Sequence, residues 1–241
     1  MRDWANYRHY GWVIAIAMLL VQTVSSGLGF YNMSVYMSFF ARELDASLDA
    51  ISLSVSLFFI SGGVAGLFVA RLLERWDIRM IMVIGASVSG VALLLIGRAT
   101  NLFELYALFT LFGIGNTGVS IVVATSLITQ WFPDERRSVA LSISSTGLSL
   151  GGVLITPYTA YLFDKSGIFE AMPLLGVIFV VGIVPIVILF IRPPVTLQAV
   201  KETKRNFEME YLQARKSRFF VCVTTAYVLI MAAQVGGIAH L

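Results

Sequence analysis

The sequence predicts an all-α, polytopic membrane protein with a six-helix N-terminal bundle and a seventh helix. Three observations predict this class. The 241-residue chain is 58% hydrophobic and has a mean hydropathy of +0.84. Only 13% of its residues are charged, against roughly 25% in a soluble domain. Its apolar residues fall into seven long runs, each near or above the ~20 residues that a helix needs to cross a bilayer.

We predict that the seven runs are helices. Apolar and polar residues would alternate in a membrane-spanning strand, and they do not alternate in these runs. The first run is too long, and is followed by too many others, to be a cleavable signal peptide. Each of the later runs is separated from its neighbour by a polar or charged segment. The runs cover residues 11–40, 50–70, 80–97, 105–132, 139–163, 169–191 and 219–241.

The chain divides into three parts. Residues 1–191 form the predicted six-helix transmembrane bundle, and residues 192–218 form a basic linker between two halves. Pro193 and Pro194 end the sixth helix, because proline lacks the backbone N–H that a helix interior requires. Residues 219–241 are the seventh helix, which we interpret as the start of a second bundle.

The distribution of basic residues predicts the orientation. Of the 17 lysines and arginines, 14 fall on the side of the membrane that holds the N-terminus and the linker. Loops rich in lysine and arginine stay in the cytoplasm. We therefore expect a multi-pass protein of the plasma (inner) membrane with a cytoplasmic N-terminus. The opposite side holds only Arg42, Arg98 and Lys165.

Several function classes are disfavoured. The single cysteine, Cys222, cannot form an internal disulfide. With two histidines in the chain, a histidine-based metal site is not expected, and we predict no metal, no cofactor and no nucleic-acid partner. Residues 147–151 match the Gly-x-Ser-x-Gly pattern of hydrolases, but they lie inside a predicted helix rather than in a strand–turn–helix. The chain is therefore not expected to be an enzyme.

A polar stripe runs along the first helix. Its residues are spaced by three and four positions, which places them on one face of a regular helix. Polar groups are costly in hydrocarbon, so such a face should contact protein or a water-filled cavity. We predict that the stripe lines a substrate path together with two residues of the fourth helix. The predicted path residues are Gln22, Ser25, Gly29, Asn32, Tyr36, Asn116 and Ser120.

The fifth helix is rich in small residues. Glycine and serine at helical spacing allow two helices to approach closely, so packing is the favoured interpretation and lining of the path is the alternative. Gly147, Gly151 and Gly152 are the predicted packing residues. Pro157 is expected to kink this helix.

The loop between the second and third helices gathers charge into a short segment, Glu74, Arg75, Asp77 and Arg79. It resembles the corresponding loop of the major facilitator superfamily, which has the pattern Gly-x-x-x-Asp-Arg-x-Gly-Arg-Arg. Glu74 stands at the position of the aspartate, and Arg75 and Arg79 match basic positions. The chain departs from the pattern at Ala70 and Asp77.

The segment WFPDERRSVALSISSTGLSLGG, residues 131–152, is similar to the monocarboxylate and oxalate–formate antiporter-like branch of that superfamily. This branch often has an aromatic pair, an arginine pair and then a helix rich in glycine and serine. The end of the linker and the final GGIAHL are also similar to the branch. The resemblance implies the N-terminal half of a transporter, with the start of helix seven and a further C-terminal six-helix half as its partner.

The resemblance also implies a function: secondary active transport of a small organic anion, a mono- or dicarboxylate, by alternating access. Protons or a counter-anion would be the coupled species, and symport and antiport both remain open. The charged loop would be a cytoplasmic gate, whose carboxylate pairs with arginines and with a helix N-terminus of the opposite half. Basic residues that serve only as topology signals are the alternative for the loop.

No charged residue lies in the middle of any apolar run. The cation that would bind an anionic substrate is therefore expected in the second half. A different class of function stays open beside transport: a non-transporting half-bundle that acts as an assembly or regulatory membrane subunit.

Overall fold

The structure is a computed structural model that describes residues 2–132, 134–192 and 217–239. The described residues form helices and no strand. Two short π-helical turns, Gly27–Tyr31 and Gly151–Ile155, interrupt the helical order. The α-helices are α1 Arg2–Ser26, α2 Met33–Glu43, α3 Leu48–Leu72, α4 Ile78–Ile96, α5 Leu102–Thr117, α6 Ile121–Trp131, α7 Asp134–Leu150, α8 Thr156–Ser166, α9 Ile168–Phe190 and α10 Arg218–Ala239.

Six segments of the described chain are long and apolar enough to cross a membrane. They correspond to the first six predicted runs and confirm the prediction of an all-α, multi-pass membrane protein. The fourth and fifth spans each combine two α-helices. The spans are His9–Tyr31, Leu48–Leu72, Ile78–Ile96, Leu102–Trp131, Glu135–Ser166 and Ile168–Phe190.

The seventh predicted helix is α10, which belongs to a second compact unit that begins at Pro194. Its apolar part, Arg218–Ile230, is shorter than a full span within the residues described. Most of the predicted linker lies outside the described residues, which resume at Ser217.

Side-chain caps fix where three of the spans begin. The hydroxyl of Ser47 accepts a hydrogen bond from the N–H of Ala50 at 3.3 Å, at the start of α3. The carboxylate of Asp77 and the amide oxygen of Asn101 cap α4 and α5 in the same way, each at 2.9 Å. These oxygens satisfy N–H groups that have no partner within the first turn of a helix.

The spans pack in pairs through glycine. α1 packs against α7, α3 against α5, and α4 against both α5 and α9. A Cβ atom added to Gly176 of α9 would lie 2.6 Å from the carbonyl oxygen of Gly90, and one added to Gly85 would lie 2.7 Å from that of Gly115. Such approaches require residues without side chains, because lipid provides no hydrophobic force to hold helices together and close contact must do so.

Candidate substrate path and charged loop

Three spans are irregular, and they contact one another. The first span contains the π-helical turn Gly27–Tyr31, and the fifth contains the turn Gly151–Ile155. The two turns contact each other. The fourth span breaks at residues 118–120, between α5 and α6. Irregular backbone at membrane depth occurs only where protein or a water-filled cavity satisfies its polar groups, so this region is a candidate site on physical grounds.

Gln22 lies at the break in the fourth span. When its amide nitrogen faces the carbonyl oxygen of Val119, its amide oxygen faces the N–H of Ile121, and both hydrogen bonds are 3.2 Å long. This orientation is assigned from the hydrogen-bonding partners. A single side chain of the first span thus satisfies a donor and an acceptor of the interrupted fourth span.

Ser25 and Gly29 also contact the fourth span. The hydroxyl of Ser25 donates to the amide oxygen of Asn116 at 2.8 Å. A Cβ atom at Gly29 would lie 3.0 Å from the amide nitrogen of Asn116. Asn116 is half-buried, whereas Ser25 is 3% exposed. Glycine at position 29 therefore leaves room for the Asn116 amide between the two spans.

Asn32 contacts the fifth span instead. Its amide nitrogen donates to the hydroxyl of Thr159 at 2.8 Å and to that of Tyr36 at 3.4 Å. Ser25 and Asn32 are seven residues apart, about two turns of a regular α-helix, and would share a face. The π-helical turn between them inserts one residue and rotates the remainder of the span by about 100°. The stripe predicted on one face is therefore divided between the fourth and fifth spans.

The stripe is buried within the bundle. Gln22, Ser25, Asn32 and Tyr36 are at most 3% exposed and contact protein. Asn116 and Ser120 are half-buried, and the Ser120 hydroxyl has no hydrogen-bond partner among the described residues. Their role in a substrate path stays a prediction.

Gly147, Gly151 and Gly152 lie against the first span. A Cβ atom at Gly147 would overlap the carbonyl oxygen of Leu19, and one at Gly151 would lie 2.5 Å from that of Thr23. A Cβ atom at Gly152 would approach the ring of Tyr31 to 3.0 Å. The hydroxyl of Ser26 also donates to the carbonyl oxygen of Leu148 at 2.9 Å. These positions have the geometry of close helix packing.

Pro157 lies inside the continuous fifth span, directly after its π-helical turn. It lies in the first turn of α8, and it lacks the N–H that a regular helix would direct back to the carbonyl of residue 153. The predicted kink stays a prediction. The irregular backbone is the π-helical turn that precedes it, Gly151–Ile155. The Gly-x-Ser-x-Gly segment lies in α7 and enters that turn, so it has no strand–turn–helix context for a nucleophile.

Two aromatic rings of the first π-helical turn lie outside the polar pattern of the sequence. Phe30 and Tyr31 are both half-buried, with ring centroids 5.1 Å apart, and the ring of Phe30 is 5.8 Å from that of Phe59 in α3. Thr159 was also missing from the predicted path. Its position opposite Asn32 depends on the π-helical turn, which has no signature in the spacing of the sequence.

The charged loop lies between α3 and α4. Glu74, Arg75 and Asp77 are exposed, and Arg79 is half-buried. The Asp77 carboxylate caps α4 by accepting from the N–H of Arg79, which gives this departure from the family pattern a structural role. Arg71, Glu74 and Arg75 border a groove of about 960 Å³ beside α3. The predicted gate function of the loop stays a prediction.

Comparison with known proteins identifies the family. The family model for the Major Facilitator Superfamily matches residues 19–240. An MFS-type transporter of Bacillus subtilis is 27% identical over 70% of this chain and 41% of its own length. Monocarboxylate transporter 11 of Mus musculus is 25% identical over 70% of this chain and 37% of its own length.

A solved structure shares the fold. It is a bacterial homolog of the human lysosomal transporter Spinster, in an inward-facing and occupied conformation, with a TM-score of 0.60 and 18% identity. The match covers 75% of this chain and 44% of that one. The chain thus spans less than half the length of each of these three proteins. The predicted resemblance, including that to the monocarboxylate branch, is confirmed: the chain belongs to the Major Facilitator Superfamily.

Proposed function

We propose that this chain is the first half of a secondary active transporter that moves a small organic anion, a mono- or dicarboxylate, by alternating access. The family match over residues 19–240 is the observation that carries the proposal. A relative named as a monocarboxylate transporter supports the choice of substrate class. Alternating access requires one six-helix half to move against another around a site near the bilayer midplane.

Asn116 is the residue that we propose to contact the substrate from this half. It is half-buried, and its amide oxygen is occupied by the Ser25 hydroxyl at 2.8 Å. Its amide nitrogen donates no hydrogen bond to the described residues and is available to a carboxylate oxygen. Ser120, in the break between α5 and α6, carries a hydroxyl without a hydrogen-bond partner among the described residues and adds a second neutral donor. Gln22 supports both by holding the break between α5 and α6 in place.

This half supplies neutral donors, so the balancing positive charge belongs to the second half. Charged residues within membrane spans are costly and occur where they bind an ion or each other. None of the six described spans carries one in its middle. We propose that protons or a counter-anion accompany transport, and that the loop Glu74–Arg79 closes the cytoplasmic side. We also propose that the protein lies in the plasma (inner) membrane, with its N-terminus in the cytoplasm.

The test is uptake by a two-half protein, in which this chain is joined to a second six-helix half from the monocarboxylate branch. Purified protein in liposomes should accumulate labelled lactate, formate or oxalate, and unlabelled carboxylates should compete. Glycerol and glucose are neutral controls and should not compete. Competition by the neutral solutes alone would refute the anion assignment. A folded protein that transports none of these would favour an assembly or regulatory subunit.

A further inference from the structure

The carbonyl oxygen of Leu28 does not accept a hydrogen bond from the N–H of Asn32, as it would in a regular α-helix. In an α-helix it would accept from the N–H of Asn32, four residues later. In this structure the Asn32 N–H donates instead to the carbonyl oxygen of Gly27, five residues back, at 3.2 Å. The Leu28 oxygen accepts from the hydroxyl of Tyr36 at 2.9 Å. The shift of the Asn32 N–H from Leu28 to Gly27 is thus accompanied by a side-chain donor from α2.

Tyr36 is held in place by its ring. The side chain is fully buried, and its ring centroid lies 6.2 Å from that of Phe109 and 5.9 Å from that of Phe163. A buried carbonyl without a donor is strongly unfavourable. Removing only the hydroxyl would take this donor from the Leu28 oxygen in the π register, whereas the regular register would return the N–H of Asn32 to it.

The register of the turn decides which side chains are accessible. Phe30 and Tyr31 are half-buried, and we call the side of the first span on which they lie its open side. Asn32 is fully buried and donates to Thr159. The amide oxygen of Asn32 has no hydrogen-bond partner among the described residues. The π register thus keeps this acceptor of Asn32 buried and unpaired. Once the bond from Tyr36 to Leu28 is lost, we expect the span to change from the π register to the regular α-helical register.

We propose that Tyr36 is a positioning residue: through the bond from its hydroxyl to the Leu28 carbonyl, it fixes the π register of the first span and determines which side chains of residues 30–32 face the open side. The proposal adds a positioning residue to the proposed transport function. It rests on that function in one respect, namely that the open side of the first span borders the substrate path. The register itself does not depend on transport.

Cysteine labelling tests the register directly. Single cysteines are placed at positions 30, 31, 32 and 33 in the Cys222→Ser chain, with and without Tyr36→Phe, and treated with a small thiosulfonate. With Tyr36 present, positions 30 and 31 should react while 32 and 33 stay protected. With Tyr36→Phe, the pattern should shift by one residue, so that labelling rises several-fold at 32 and falls at 30. Tyr158→Phe, which removes an exposed hydroxyl, is the matched control and should shift nothing.

A second measurement uses a chain from which Gly29 is deleted, because removal of one residue converts the π-helical turn into regular helix. Tyr36→Phe should lower the midpoint of thermal unfolding in the parent chain and leave it unchanged in the deletion chain. An unshifted labelling pattern, or equal lowering in both chains, would overturn the proposal. A Tyr36→Phe chain that does not fold would also overturn it, because the ring contacts remain. None of these readouts requires transport, so they separate this proposal from the proposed function.

Discussion

The hydroxyl of Ser25 in the first span donates a 2.8 Å hydrogen bond to the amide oxygen of Asn116 in the fourth. The two residues are 91 positions apart in sequence, and the bond joins the first span to the fourth. With its oxygen occupied, the amide presents its nitrogen as a donor. Asn116 is half-buried, so its amide can be reached from the accessible surface. A neutral donor of this kind can bind an anion without placing a charged residue within the membrane.

Asn116→Leu should reduce carboxylate uptake by the two-half protein by about tenfold, which corresponds to the ~1.4 kcal/mol of one hydrogen bond. Asn116→Gln keeps an amide donor and should retain part of the uptake. The measurement is the initial uptake rate at equal amounts of folded protein in the membrane. An unchanged uptake rate in Asn116→Leu would show that Asn116 does not contact the substrate.

Gln22→Leu should destabilise the bundle by about 1–3 kcal/mol, because the carbonyl of Val119 and the N–H of Ile121 would be left without their side-chain partner. Thermal unfolding in detergent measures the effect. Gln130→Leu changes an exposed glutamine of α6 and serves as the control, with little change expected. Equal midpoints of thermal unfolding for the two variants would show that Gln22 does not stabilise the break between α5 and α6.

Gly147→Ala should destabilise the contact between α1 and α7 by about 1–3 kcal/mol, since the added methyl would overlap the carbonyl oxygen of Leu19. Gly63→Ala is the matched control, because a Cβ atom there meets nothing within 4 Å. Replacing an exposed helix glycine with alanine removes backbone entropy from the unfolded chain, so Gly63→Ala should be neutral or slightly stabilising. A Gly147→Ala chain as stable as its control would contradict close packing at this position.

Cysteines at positions 201, 204 and 216 should resist an impermeant maleimide on intact cells, and a cysteine at position 165 should react. The bias of 14 basic residues to one side predicts this orientation. Labelling after the cells are opened, in a Cys222→Ser chain, confirms that each cysteine is reactive. The reverse labelling pattern would show that the protein has the opposite orientation in the membrane.

The membrane spans could be predicted from composition because a long apolar run has few alternatives to a spanning helix. The six described spans follow the first six of the seven runs in order. The helix caps at Asp77 and Asn101 have ordinary sequence signals. Small residues at helical spacing, such as Gly147, are an ordinary sequence signal for close packing, and the packing role of Gly147 stays a prediction.

The arrangement of the polar stripe could not be predicted in the same way. The spacing of Gln22, Ser25 and Asn32 assumes an unbroken helical period, and a π-helical turn changes that period by one residue. The turn accompanies a bond between Tyr36 and Leu28, a side-chain-to-backbone contact that no periodic pattern encodes. The partners of Gln22 are backbone groups of a broken span, and their position depends on the tertiary structure.

Uptake of labelled lactate, formate and oxalate into liposomes, by the 241-residue chain alone and by the two-half protein, tests most directly the central claim that the transport site is shared between two halves. We expect accumulation by the two-half protein and none above background by the chain alone, because a shared site would then have only one wall. Carboxylate uptake by the purified 241-residue chain would contradict a shared site of this kind and make a self-sufficient half-transporter, formed by two copies of the chain, the leading alternative.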